Sequence, residues 1–224
     1  MIINSRLLKI AETIRRGDRV ADIGTDHAYL PIYLIKKGIS PKVFACDVAD
    51  GPLQNAKVNI DKSSVDNIEL RKGNGLNAVK PDEAETFVIA GMGGDLIIKI
   101  LDASSFIKNA TYEIILQPMT SVEDLRLYLC ENGFFIKSES AVRSAGRIYT
   151  VIKAVYTGVK YPCEPLFYYI GALQAKTEHD IAYIKRKRRI LTTLANDIKN
   201  IDSQQQKYLG LLDVIAELDR ILKE

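Results

Sequence analysis

Three acids and several glycines are spaced along the first half of the chain as a small-molecule site would need them. Asp22, Gly24, Thr25, Asp26 and His27 fall in VADIGTDHAYLP (20–31), directly after an apolar run. A strand ending in an acid and a glycine opens many nucleotide-binding loops. In those loops further glycines let backbone amides approach a pyrophosphate at a helix N-terminus. Here Asp26 and Ala28 stand where the second and third glycines are expected. Like charges about 4 Å apart cost about 4 kcal/mol at an effective dielectric constant of about 20, so a dinucleotide is disfavoured. A nucleoside carrying cations in place of phosphates suits the carboxylate. S-adenosylmethionine (SAM), with its sulfonium and ammonium, is such a ligand. The bland alternative for Asp26 is a turn or helix N-cap residue.

The later loops fit the same ligand. Asp47 ends KVFACD (42–47), where an acid accepts both ribose hydroxyls of a nucleoside, and Val48 follows it. Asp50-Gly51-Pro52 reads as a turn with proline near the first helical position. In KGNGLNAV, Asn74 offers an amide to an adenine edge and Gly75 a close backbone approach, although Asn-Gly is also a common turn. Gly91, Met92 and Gly93 lie in VIAGMGGDLI (88–97), after the fourth apolar run and so at the ligand end of an open α/β sheet. Met92 reads equally well as packing. Enzymes that methylate the exocyclic N6 of adenine commonly place an acidic or amide residue, two prolines and an aromatic here. Their absence argues against an exocyclic amine as acceptor. Gln117 follows the fifth apolar run and is assigned to the substrate side. Ser121 and Asp124 begin a helix with an apolar face of Leu125, Tyr128 and Leu129. His27 reads as a pocket wall or structural residue. The other histidine, His179, is far along the chain, so no metal site is expected.

These loops need strands and helices to hold them. RVADI (19–23), KVFACD (42–47), IELRKG (68–73), TFVIAG (86–91) and YEIILQ (112–117) alternate with helical stretches, which predicts a parallel sheet covered on both faces. Two further strands, 134–144 and 146–156, have no room for a crossover between them and must pair antiparallel. After YPCEP (161–165) strand signals and glycines nearly vanish. Leu166, Ile170, Leu173, Ile181, Ile184, Leu191, Leu194 and Ile198 predict one long helix; Tyr208, Leu211, Ile215, Leu218 and Leu222 predict a second, folded back on it. The expected division is therefore 1–160 and 161–224. Lys185, Arg186, Lys187, Arg188 and Arg189 run consecutively on the first of these helices. They read either as a solvated face or as phosphate contacts.

Composition sets wide limits. The chain has 224 residues, net charge +3 and three scattered cysteines, Cys46, Cys130 and Cys163. Reduced thiols, no signal peptide and no bilayer-spanning run are expected, and with them a soluble cytoplasmic protein.

Taken together, VADIGTDHAYLP, GNGL, IAGMGG and LQP, in this order and followed by a helical hairpin, resemble the bacterial tRNA (adenine-N1) methyltransferases that modify position 22. The resemblance covers essentially the whole chain. It implies a Rossmann-like class I SAM-dependent methyltransferase domain with an antiparallel last strand, and a coiled-coil-like helical extension that helps hold tRNA. It also implies that Asp22, Gly24, Asp26, His27, Asp47, Asn74, Gly91, Met92 and Gly93 match the family pattern. Asp26 and Tyr29 are the expected catalytic pair. Asp26 would stabilise the adenine cation or receive the amino proton later, and Tyr29 would stack on or orient the base or, failing that, pack helix to sheet. A monomer is expected. Two rivals stay open: a SAM-dependent enzyme of a small molecule or protein with the helices as a dimerisation module, and a non-catalytic RNA-binding protein on the same fold.

Overall fold

The computed structural model describes residues 3–223. Met1, Ile2 and Glu224 lie outside the described residues. Seven strands, β1 (Val20–Ile23), β2 (Val43–Asp47), β3 (Ile68–Lys72), β4 (Thr86–Met92), β5 (Glu113–Pro118), β6 (Phe134–Ser144) and β7 (Arg147–Tyr156), form one sheet in the order β3-β2-β1-β4-β5-β7-β6. The first five are parallel, while β7 runs antiparallel between β5 and β6. This is the expected Rossmann-like sheet.

The central strands are mostly apolar because both faces are covered. On one face Phe87, Ile89 and Leu116 pack against Ile97 and Leu101 of α4 (Gly94–Asp102) and Leu125 and Leu129 of α5 (Val122–Glu131). On the other, Val20, Val88 and Ile115 pack against Ile10 of α1 (Ser5–Thr13) and Leu30 and Leu34 of α2 (Tyr29–Lys36). Between β2 and β3 runs α3 (Asp50–Ser63), which seats Ala56 against Ala28 and Ile32.

The C-terminal segment differs from the expected pair of helices. It has three: α6 (Pro165–Ile170), α7 (Glu178–Ile198) and α8 (Gln205–Ile221). Leu166 and Ile170 belong to the short α6, and Leu173 is buried in the link that follows. The break has a specific cause. Gly171 takes φ +60°, and a Cβ there would fall 1.8 Å from Glu139 Oε2. Only glycine lets the chain turn across the buried Arg126–Glu139 pair. Beyond the break, Thr177 and Asp180 form a capping box that starts α7. Asp180 Oδ1 also accepts from the Ala141 amide of β6 at 2.9 Å, so the helix start completes the outer edge of the sheet. Ile184, Leu191 and Ala195 then meet Leu211, Val214 and Leu218 in a third core that includes Ala141.

Candidate active site

The loop after β1 holds an unusual backbone. Gly24, Asp26 and Ala28 all have positive φ, at 80°, 50° and 54°. For the two non-glycine residues this costs about 1 kcal/mol or more each. Gly24 is called for by its φ of +80°, and a Cβ there would also lie 2.2 Å from Cε at the far end of the flexible Met92 side chain. Met92 thus bridges the loop after β4 to the loop after β1, which realises the packing alternative for that residue.

Asp26 is not the helix cap. Ala28 occupies that position, and no side chain caps α2. The Asp26 side chain is 64% exposed and sits 3.5 Å from His27 Nε2. The His27 ring stacks on Tyr29, with centroids 5.2 Å apart and planes at 20°. Tyr29 begins α2 and is 40% exposed, so it does not pack helix against sheet. Asp26, His27 and Tyr29 form an acidic and aromatic lip over the sheet's ligand end.

Asp47 ties two loops together. Its Oδ1 accepts from the Ala49 amide at 3.0 Å, and its Oδ2 receives the Asp26 amide at 3.4 Å. Val48 beside it is 61% exposed, an apolar side chain left facing outward. Asn74 is exposed and has no side-chain hydrogen bond to the helical turn it precedes. Gly75 takes φ +57°, a conformation that favours glycine, and a Cβ there would lie a tight 3.1 Å from Ile100 of α4. The Thr25 hydroxyl is buried beside the Asp22 carboxyl. Asp22 is 5% exposed. Burial pushes its carboxyl up to about 6, against the pull of the neighbouring Thr25 hydroxyl and of the Arg6 charge.

Arg6 was not evident in the sequence. From α1 its Nη1 donates to Gln117 Oε1 at 2.5 Å, and the Gly91 amide donates to the same oxygen at 3.1 Å. Gly91 sits at a bulge between β4 and β5, and a Cβ on it would lie 3.2 Å from Arg6 Nη1. Burial lowers the Arg6 pKa, with Tyr149 and Asp22 opposing. Gln117, expected on the substrate side, is fully buried, and its Nε2 donates to the Pro118 carbonyl at 2.8 Å. As placed, it holds Arg6 and the bulge and has no surface to offer a substrate. Gly93 precedes α4, where a Cβ would lie 3.1 Å from Thr120 Oγ1.

The donor set suits a cationic nucleoside. Three carboxylates, Asp22, Asp26 and Asp47, gather at the ends of β1 and β2, the arrangement a cationic ligand needs.

The basic run divides in two. Lys187 pairs with Glu123 of α5, and Arg188 pairs with Asp219 of α8. Lys185, Arg186 and Arg189 instead line a groove with Arg143 and Arg147 of the β6–β7 turn. These five cations have no carboxylate partner within 4.0 Å among the described residues. Among the described residues no group of three or more His, Cys, Asp or Glu side chains gathers as a metal site, and no helix is long and apolar enough to cross a membrane.

Comparison with known proteins adds four findings. A methyltransferase domain model, Methyltransf_18, matches residues 3–152. The tRNA (adenine(22)-N(1))-methyltransferase of Bacillus subtilis is 31% identical over an alignment covering 99% of this chain and 96% of that protein. M. capricolum TrmK, solved with S-adenosyl-homocysteine, superposes with a TM-score of 0.77 at 29% identity, covering 100% of this chain and 99% of that one. A Streptococcus pneumoniae chain solved with S-adenosyl-L-methionine gives a TM-score of 0.79 at 28% identity, covering 97% and 98%.

Proposed function

This chain belongs to the tRNA (adenine(22)-N(1))-methyltransferase family, and from that premise we propose that it methylates N1 of adenine 22 in bacterial tRNA with SAM as donor. The observation that carries the reading is the gathering of Asp22, Asp26 and Asp47 around the glycine loop after β1. When bound, SAM supplies an electrophilic methyl on its sulfonium.

The chain's own residues divide the remaining work. Asp47 accepts from the ribose hydroxyls, Val48 offers an apolar contact to the nucleoside base, and Asn74 offers an amide to its edge. Asp22, with Thr25 beside it, attracts the cationic end. Gly24, His27, Gly75, Gly91, Met92 and Gly93 shape the walls. Adenine N1 is a neutral nucleophile with an in-plane lone pair, so no residue need remove a proton before attack. What the enzyme must provide is position, and a place for the positive charge that arrives on the ring. Asp26 provides the charge, and Tyr29, already stacked on His27, offers its ring to the displaced base.

The direct test is incubation with labelled SAM and unmodified bacterial tRNA, followed by mapping of the methylated base. Label on N1 of adenine 22 is expected. Absence of label from intact tRNA overturns the reading. Asp26→Asn should lower the methylation rate about tenfold and leave SAM affinity within about twofold, a modest effect because an exposed carboxylate is screened by water. A variant turning over at the wild-type rate would remove Asp26 from the chemistry.

Residues 161–224 are the proposed tRNA-holding extension of a SAM-binding domain spanning 1–160, in a cytoplasmic monomer. Of the basic run, Lys185, Arg186 and Arg189 are the proposed phosphate contacts, while Lys187 and Arg188 are engaged in ion pairs. Changing those three to Gln should weaken binding across tRNAs and make the slope of log affinity against log salt shallower by about two to three units. SAM affinity should not change. If the helices serve dimerisation instead, the salt slope would survive and the sedimentation profile would shift.

A further inference from the structure

The β6–β7 hairpin stands above the rest of the sheet. Leu116 of β5 pairs with Ile152 of β7. β5 ends at Pro118, which is level with Met92 at the end of β4 and, continued in register, with Thr150 of β7. The hairpin runs on to Arg147 before it turns. At about 3.3 Å per residue it overshoots the ends of β4 and β5 by about 10 Å. It does so on the acceptor side, because β7 lies beyond β5, across β4 from the donor loops after β1 and β2.

The tip is held in place. Ser144 pairs with Arg147, which leaves Ala145 and Gly146 as a two-residue turn. Both have positive φ, at 48° and 75°, the turn whose twist matches that of its strands. The Ser5 hydroxyl of α1 donates to the Arg143 carbonyl, and Asp180 of α7 accepts from the Ala141 amide. Arg143 and Arg147 therefore leave a fixed frame, one from each strand.

The facing wall is α7. Lys185, Arg186 and Arg189 line with Arg143 and Arg147 a groove of about 490 Å3 that has no acidic lining residue. All five are exposed, and none has a carboxylate within 4.0 Å among the described residues. Five unpaired cations outnumber the net charge of the whole chain, +3. Like charges gathered in this way repel, and a polyanion laid between the walls removes the repulsion. Four of the five are arginines, whose planar fork takes two oxygens of one phosphate.

We propose that the β6–β7 hairpin is the second wall of an RNA clamp: Arg143 and Arg147, from the methyltransferase domain, hold the same stretch of tRNA backbone as Lys185, Arg186 and Arg189 of α7. This assignment rests on the tRNA methyltransferase reading. The height of the hairpin suits the role. A backbone gripped above the strand ends leaves room beneath it for a base displaced from its stack to reach the loop after β4.

Arg143→Gln with Arg147→Gln tests the hairpin alone. Affinity for tRNA, titrated at several salt concentrations, should fall about 3–20-fold, and the slope of log affinity against log salt should become shallower by about one to two units. Arg143→Lys with Arg147→Lys should keep most of the slope, since the charge stays. SAM affinity and melting temperature should hold in both, because the exposed side chains lie outside the donor loops. Combined with Gln at Lys185, Arg186 and Arg189, the loss should be smaller than the product of the two separate losses, because backbone released from one wall loosens on the other. Hydroxyl-radical footprints should show both sets of variants unprotecting the same nucleotides. Wild-type affinity and slope for the hairpin Gln variant would overturn the proposal and leave the groove to an acidic protein or to solvent. A fall in affinity with an unchanged slope would overturn it too, since no phosphate contact was lost. So would fully multiplicative losses with footprints at separate nucleotides, the mark of two independent patches. If the hairpin variant loses salt-dependent tRNA affinity while the wild-type enzyme fails to methylate adenine 22, the clamp stands and the functional reading falls.

Discussion

Arg126→Ala is expected to cost about 3–5 kcal/mol of stability, the range for breaking a buried ion pair by removing one partner. Both side chains of the Arg126–Glu139 pair are fully buried, and Arg126 Nη2 donates to Glu139 Oε1 at 2.6 Å. Burial would push the Arg126 pKa down, but Glu139 and Tyr183 outweigh it and hold the guanidinium charged. The same group donates to the Tyr168 carbonyl of α6 at 2.9 Å and to the Tyr183 hydroxyl of α7 at 3.3 Å. One side chain of α5 therefore joins β6, α6 and α7. Alanine would leave Glu139 as an uncompensated charge under the C-terminal helices. Replacing both partners, Arg126→Met with Glu139→Leu, should recover much of the loss, because a well-packed apolar pair avoids the desolvation cost. Urea unfolding of the three proteins measures this. A single variant within 1 kcal/mol of wild type would mean that the pair contributes little to docking the helices.

Much of this molecule was legible in its sequence, and the exceptions share a cause. The seven strands were readable because central strands buried on both faces show as short continuous apolar runs, and the β6–β7 hairpin because only Ala145 and Gly146 lie near its turn. The loop residues were readable because Gly24, Asp26 and Asp47 depart from or complete a pattern set by ligand chemistry. Arg6, Arg126 and Gln117 were misread or passed over because each is a polar residue in the interior. On an amphipathic helix an arginine normally marks the solvent face, and only tertiary pairing shows otherwise. The break at Gly171 was hidden for the same reason. Leu166, Ile170 and Leu173 keep helical spacing across it, and what stops the helix is Glu139, distant in sequence. The basic run looked uniform because its division depends on where Glu123 and Asp219 come to lie.

Asp22→Asn should make the protein more stable and a poorer SAM binder. A carboxyl raised from 3.8 to about 6 in the folded state prefers its protonated form by about 3 kcal/mol, at 1.36 kcal/mol per pKa unit. Asparagine imitates that neutral form, and the attraction to Arg6 is already contained in the net rise, so a gain of up to about 3 kcal/mol is expected. The sign with pH follows from the direction of the rise. Protonation of Asp22 favours the folded state fully below 3.8, and that contribution is lost as pH rises through about 6. The variant's advantage over wild type is therefore complete above pH 7, shrinks as pH falls from about 6 towards 4, and is absent below. SAM affinity moves the other way. A cationic ligand prefers the ionised carboxylate, so wild-type affinity should fall as pH drops through about 6, by up to about tenfold per unit, while the Asn variant binds about tenfold or more weakly at pH 8 and shows no such fall. Unfolding at pH 8 and pH 5, with calorimetric SAM titrations at both, separates the outcomes. Equal stabilities of the two proteins at pH 8 would show that Asp22 is not held against its ionised form. A SAM affinity flat with pH in the wild type would show that its charge faces Arg6 and not the ligand. In proteins that sit close to a stability threshold, a buried acid that destabilises the resting fold persists where binding needs its charge, and Asp22 is the residue of this site where that trade is largest.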